Sequence, residues 1–201
     1  MIRVRDFWFR VVVLQACVLL GACAATRLRA VSAMAPLAWD LRMPALQQAV
    51  QWGLDGRAAA SAGKQGWQAS IAWRQQGSNT ELHLAGPLGI GASVLRLTPD
   101  GLSVDGAPPR SDVIEALRDR LGVELPLASL RYWLLGVPDP ANESMITRNA
   151  QDRAQQLLQS GWTIDVDRYV PVDGDWLPGQ LAVQREGIRV RIAVDHWDFP
   201  R

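Results

Sequence analysis

The side chains whose types could carry chemistry are few: His83 and His196, Cys17 and Cys23, and two aspartate pairs, Asp165 with Asp167 and Asp173 with Asp175. His196 lies in Val194-Asp195-His196-Trp197-Asp198, where a carboxylate beside an imidazole has the makings of an oriented general base. No Gly-x-Ser-x-Gly elbow or other activated nucleophile accompanies it, so a surface histidine at the end of a strand is the better account. No catalytic residue is assigned, and an enzyme is not expected. The aspartate pairs have the residue type of calcium ligands, but their spacing matches no calcium loop. Turns and solvated strand edges explain them, and no metal is expected. No glycine-rich phosphate loop follows a strand, and a net charge of +1 without a basic aromatic stripe argues against nucleic acid.

The cysteines carry the clearest signal. Arg3, Arg5 and Arg10 precede an apolar run from Val11 to Leu20, too short to cross a bilayer that needs roughly 20 residues, and small residues follow. This is the shape of a cleaved secretory signal, and its ending, Leu20-Gly21-Ala22-Cys23, resembles a bacterial lipobox. That resemblance implies that the Cys23 thiol receives a diacylglyceryl group, that residues 1–22 are removed, and that the new amine is acylated. Cys17 is the rival acceptor, but Gln15 lies two positions before it and little apolar chain precedes it. At about 0.8 kcal/mol per buried CH₂, three acyl chains exceed what stable anchoring needs. Ala24 rather than aspartate follows Cys23, which by the same resemblance implies sorting to the outer membrane. This lipid is the one expected prosthetic group; no cofactor is expected.

The remaining chain is long enough for one domain with a real core. It holds eight of the nine tryptophans, which either line an apolar cavity or membrane-facing surface or fill the core. Residues 23–42 read as the lipidated cysteine and a tether. Pro44 is placed to start a helix with Leu46, Val50 and Trp52 near one face and Gly53 at its end. Two-residue alternation then takes over in Trp52–Ala58, Trp67–Arg74, Glu81–Leu84, Ser93–Leu97 and Leu102–Gly106, with turns at 62–66, 76–79 and 98–101. Helical spacing returns after Ser111, with Asp112 as a cap and Glu115 three residues on. A second helix follows Pro126, with Leu127, Leu130, Trp133 and Leu134 on one face and Gly136 and Pro138 as its stop. Residues 139–155 read as a polar loop. Strands resume in Leu157-Leu158, Trp162–Val166, Tyr169-Val170, Gly179–Val183 and Ile188–Val194. The fold class is therefore α+β, mostly antiparallel β: one half-open sheet with a helical insertion.

Several stretches resemble the LolB family of outer-membrane lipoprotein receptors. They are Gly66-Trp67 through Gln75, Leu84-Ala85-Gly86-Pro87-Leu88-Gly89, Pro126 through Pro138, Gly161-Trp162-Thr163-Ile164, and Gly187 through Ile192 with Trp197. The resemblance implies an incomplete β-barrel with a helical lid over residues 43–201. Its apolar interior would take the acyl chains of a lipoprotein delivered by the periplasmic carrier LolA and pass them to the outer membrane, with no bond made or broken. It implies a membrane-inserting role for Leu88, in a loop set apart by glycines and a proline; read without it, Leu88 folds back on the core. The candidate cavity residues are Trp67, Ile71, Trp73, Leu82, Leu84, Leu95, Leu97, Leu127, Leu130, Trp133 and Leu134, each of which core packing also explains. A monomer is expected. The competing functional class is a structural or assembly lipoprotein that uses the same half-barrel to bind a protein.

Overall fold

The two-residue alternation folds into a single antiparallel sheet of ten strands. A computed structural model describes residues 38–199; the signal sequence, Cys23 and the tether through residue 37 lie outside the described residues. The strands are β1 (Gln51–Ala62), β2 (Gln65–Gln76), β3 (Asn79–Ala85), β4 (Ser93–Thr98), β5 (Gly101–Val104), β6 (Ser144–Arg148), β7 (Ala154–Gln159), β8 (Trp162–Val172), β9 (Asp175–Arg185) and β10 (Ile188–Asp198). Their spatial order is β5-β4-β3-β2-β1-β10-β9-β8-β7-β6, so two meanders meet at the β1–β10 pairing and the sheet ends on β5 and β6 without closing. Between those edge strands the chain forms helices α2 (Val113–Leu121) and α3 (Leu127–Leu134), which join the buried face of the sheet. This is the expected half-open barrel with a helical lid.

Register explains why one face is apolar. Residues directly opposite one another share a face, and Trp197, Leu54, Trp73, Leu82 and Leu95 form one continuous row across β10, β1, β2, β3 and β4. All five are buried. A parallel row runs Val194, Gly56, Ile71, Leu84. Gly56 stands at a register shift, where an added Cβ would lie 2.2 Å from the Ala193 carbonyl oxygen, so no larger residue fits. Trp52 stacks on Trp73 at 6.0 Å and tilts against Trp197 at 5.8 Å, and Trp133 meets Trp162 at 6.0 Å. Trp39, Trp52, Trp73, Trp133, Trp162 and Trp197 are therefore core, while Trp67 and Trp176 are half-buried.

Three expectations are corrected. Helix α1 runs Trp39–Gln47, so Pro44 lies inside it instead of starting it, Val50 is exposed, and Trp52 and Gly53 belong to β1. The face that decides its position is Trp39, Arg42 and Leu46; the buried Arg42 bonds Asp175 at 2.8 Å, and the Trp39 N–H donates to Asp152. In so short a helix Pro44 forfeits one internal hydrogen bond, which that packing outweighs. Asp175, weighed above as a metal ligand, is thus the partner of a buried guanidinium. Second, residues 139–155 are not all loop, because edge strand β6 occupies Ser144–Arg148. Its side chains are mostly exposed, so it carries little hydrophobic signal and owes its conformation to pairing with β7. Third, Asp112 makes no capping bond to α2, because Arg110 takes its carboxylate.

Candidate functional site

The inward residues of β2 and β3 lead to a small apolar pocket where the sheet, the lid and the loop after β3 meet. Trp67, Leu84, Ile90 and Leu121 line it, with Ser93 and Arg120 at its polar margin, and its volume is about 200 Å³. Ligand pockets typically hold about 300–1,000 Å³, so the space is too small for an acyl chain while the lid lies where it does. Of the candidate cavity residues, Ile71, Trp73, Leu82, Leu84, Leu95, Leu127, Leu130, Trp133 and Leu134 are buried in one continuous core. Trp67 and Leu97 lie half-buried at its margin. Residues the sequence reading did not assign to the site are Ile90 and Leu121; the helical spacing of Leu117 and Leu121 was the signal that could have found the second.

The two lid helices are held differently. Helix α3 is fixed by a buried polar hub in which the Gln159 side chain makes four hydrogen bonds. Its carbonyl accepts from Trp133 Nε1 at 2.8 Å and from the Asp139 N–H at 2.9 Å, and its amide donates to the carbonyls of Asp139 and Asn142. Ser129, in α3, donates to the Asp139 carboxylate at 2.7 Å. Gly136 ends the helix with φ 73, and an added Cβ would meet the Tyr169 hydroxyl at 2.8 Å. Helix α2 packs Ala116 and Leu117 into the core and makes its polar ties at the rim instead. Trp67 Nε1 donates to the Leu121 carbonyl at 2.8 Å, and Arg120 donates to Ser93 Oγ and to the Gly91 carbonyl. Arg120 also faces Asp105 at 3.6 Å. The Asp105 carboxyl is held below the usual carboxylate range by the Val94 N–H first, then by the Ser93 hydroxyl and Arg120. A lowered folded value means that this tie is complete above the ordinary carboxylate pKa and is lost only as pH falls through the folded one.

These ties make Trp67→Phe a specific test. Removing the indole donor leaves a last-turn carbonyl of α2 without its partner, at a cost of about 1 kcal/mol. Amide hydrogen exchange should rise in α2 and stay slow in α3. Equal acceleration in both helices would show that the lid moves as one piece.

The loop beside the pocket is closed at its neck by the Gly86 N–H donating to the Ile90 carbonyl at 3.0 Å, around a single helical turn at Pro87–Gly89. Leu88 stands at its crest with φ 58 and is 101% exposed; Ile90 is 73% exposed. A left-handed leucine costs about 1–2 kcal/mol, and a fully exposed one recovers nothing from burial. Fold stability alone gives no reason for this residue here.

The histidines lie elsewhere. His83 contacts Glu81, which also accepts from Arg96, and hydrogen bonding to these two side chains holds the Glu81 carboxyl below its usual range. His196 is exposed, and the neighbouring Asp195 bonds Arg57 at 2.9 Å. Among the described residues, no three His, Cys, Asp or Glu side chains gather to hold a metal ion.

The described residues thus form an open antiparallel half-barrel covered by helices, with an apolar pocket at its lip. The LolA superfamily protein of Nitrosomonas europaea shares this fold, with a TM-score of 0.51 over 82% of this chain and 94% of that one at 8% identity. The family model described as outer membrane lipoprotein LolB matches residues 50–197. Two proteins called outer-membrane lipoprotein LolB are similar over most of their length. That of Nitrosococcus oceani is 34% identical, covering 96% of this chain and 98% of its own, and that of Thiobacillus denitrificans is 32% identical, covering 85% and 98%. The chain belongs to the LolB family: it is an outer-membrane receptor of lipoprotein trafficking and not an enzyme.

Proposed function

We propose that the chain accepts lipoproteins from the periplasmic carrier LolA by their acyl chains, holds those chains beneath α2, and delivers them to the outer membrane across the Leu88 loop. Its own anchor is the lipid on Cys23. The observation that carries this reading is the placement of a strained, fully exposed leucine at the lip of an apolar pocket whose cover packs on the core through Ala116 and Leu117 and makes its hydrogen bonds to the sheet and the loop at the rim. Beyond the Trp67–Leu121 bond lies a second space of about 430 Å³, lined by Ala62, Gln65, Gly122 and Val123 among others. Parting α2 from Trp67 joins the two spaces into one trough of the size an acyl chain needs, walled by Leu84, Trp67 and Leu121. The deeper candidates, Trp73, Leu82, Leu95 and the α3 set, serve as its floor. Because Arg120 bonds the Gly91 carbonyl, displacement of α2 also releases the base of the Leu88 loop, so cargo entry and membrane engagement are linked through one side chain.

The test is transfer of a labelled lipoprotein from purified LolA to the full-length protein held in vesicles. Stable transfer followed by appearance of label in the lipid is expected. A folded protein that takes no label from a competent carrier would instead mark a scaffold that binds a protein partner on the same half-barrel, with α2 permanently closed.

A further inference from the structure

The loop at Gly86–Gly91 is a ridge with a different space on each side. Inside lies the apolar pocket; outside lies a groove of about 380 Å³ on the solvent face of the sheet, bounded by Pro87 on one side and by Arg57 and Arg191 on the other. Register fixes this face: Ser70, Arg57 and Ala193 lie in one row, and Gln68, Ala59 and Arg191 in the next. The small side chains of Ala59, Ser70 and Ala193 leave the groove its depth. Arg57 is neutralised by Asp195 through two hydrogen bonds. Arg191 is not neutralised, nor are Arg189, two residues along the same face, and Lys64 at the tip of the β1–β2 hairpin. All three are exposed and make no ion pair or side-chain hydrogen bond among the described residues. Neighbouring carboxylates are engaged: Asp165 accepts from Gln156 and Gln184, and Glu124 faces both Arg118 and Arg185. Glu186 in the β9–β10 turn and Asp165, two strands from Arg191 in its row and bonded only by neutral amides, are acidic side chains near this face that no arginine engages.

We infer that this groove, with Arg189 next along its Arg191 edge, is a seat for the phosphate headgroup of an anionic phospholipid, occupied when Leu88 enters the acyl layer. The inference rests on the insertion reading above. An apolar crest beside an alanine-floored groove that carries Arg191 in its wall follows the order of a lipid itself, acyl chain and then phosphate. Strands about 4.8 Å apart put β10 roughly 14 Å from β3, so one docked rim can place Leu88 in the acyl layer and Arg191 at the headgroups. Each unpaired cation near an anionic surface strengthens binding about fivefold, and added salt screens the effect.

The test uses the full-length protein in vesicles of phosphatidylethanolamine with or without phosphatidylglycerol. An environment-sensitive bimane on Ile90→Cys reports entry of the loop into lipid. Phosphatidylglycerol should favour the inserted state, and R189Q/R191Q should reduce that state about 25-fold in the anionic vesicles at low salt while leaving the melting temperature unchanged. R148Q, on far edge strand β6, should change nothing. Insertion by R189Q/R191Q equal to that of the parent protein overturns the inference. So does loss of carrier transfer with insertion intact, which would assign the arginines to protein docking. Leu88→Glu distinguishes the two levels: if it too leaves the bimane signal unchanged, the insertion reading itself falls, whereas a signal lost by Leu88→Glu and kept by R189Q/R191Q removes only the headgroup seat.

Discussion

Leu88→Glu is expected to fold normally, to accept lipoprotein from LolA at the usual rate, and to deliver it to the membrane about a hundredfold more slowly. Folding is spared because the side chain is fully exposed and has nothing to lose. Acceptance is spared because the pocket is lined by Trp67, Leu84, Ile90 and Leu121 and not by Leu88. Delivery fails because burying a leucine side chain contributes about 1.5–3 kcal/mol, and a carboxylate in the same place adds a penalty of its own. A combined loss of about 3 kcal/mol corresponds to the stated factor. Leu88→Gly separates strain from function. With no Cβ, glycine adopts φ 58 freely, so thermal stability should rise by about 1 kcal/mol while delivery falls. Single-turnover transfer into vesicles, with melting curves for each variant, reads both effects. A Leu88→Gly protein that is more stable and still delivers at the parent rate would show that the leucine has no role in release.

Gln159→Leu should produce the largest loss of stability, about 3–5 kcal/mol. The substitution is close in size but strips partners from the Trp133 indole, the Asp139 N–H and the carbonyls of Asp139 and Asn142, in a region where Gln159 is 3% and Trp133 0% exposed. Each buried group left without a partner costs about 1–3 kcal/mol, and those nearest the surface recover part of it from water. Chemical denaturation measures the loss, and exchange at α3 amides localises it. Retention of parent stability would mean that the hub is decoration and that α3 is held by packing alone. Trp133→Phe is the softer companion: it keeps most of the apolar area, removes one donor, and should cost about 1–2 kcal/mol.

The strands were legible where their inner faces alternate. Trp67, Ile71 and Trp73 on β2, or Val190, Ile192 and Val194 on β10, declare a period of two whatever their partners. Helix α3 was legible from its own apolar face and its stop. What escaped is what depends on distant partners. Helix α1 is positioned by Arg42 reaching Asp175, 133 residues away, against the local advice of Pro44. Strand β6 has almost no apolar face to announce it. In the site, Leu88 could be picked out only through resemblance, since its exposure and its left-handed backbone are invisible in a string of letters. The outer groove arises where residues from β1, β2 and β10 come side by side, and no single stretch contains it. Gln159 looked like one glutamine among many, and its importance lies in four partners that the fold gathers around it.

The pairing of β1 with β10 has a consequence for how the molecule comes into being. These strands lie at the middle of the sheet and yet bring together residues 138 positions apart, as Arg57 and Asp195 show. A hairpin can form as soon as its own residues are free, but the seam between the two meanders must wait until the chain through Asp198 has been made and exported. Contacts of such sequence separation slow folding, because the loop-closure entropy comes before any reward. During that interval the inward rows, and with them the future lipid site, are open to water. A receptor of lipoproteins therefore passes through a stage in which its own apolar face needs shelter, and strand β10 is the one that ends it.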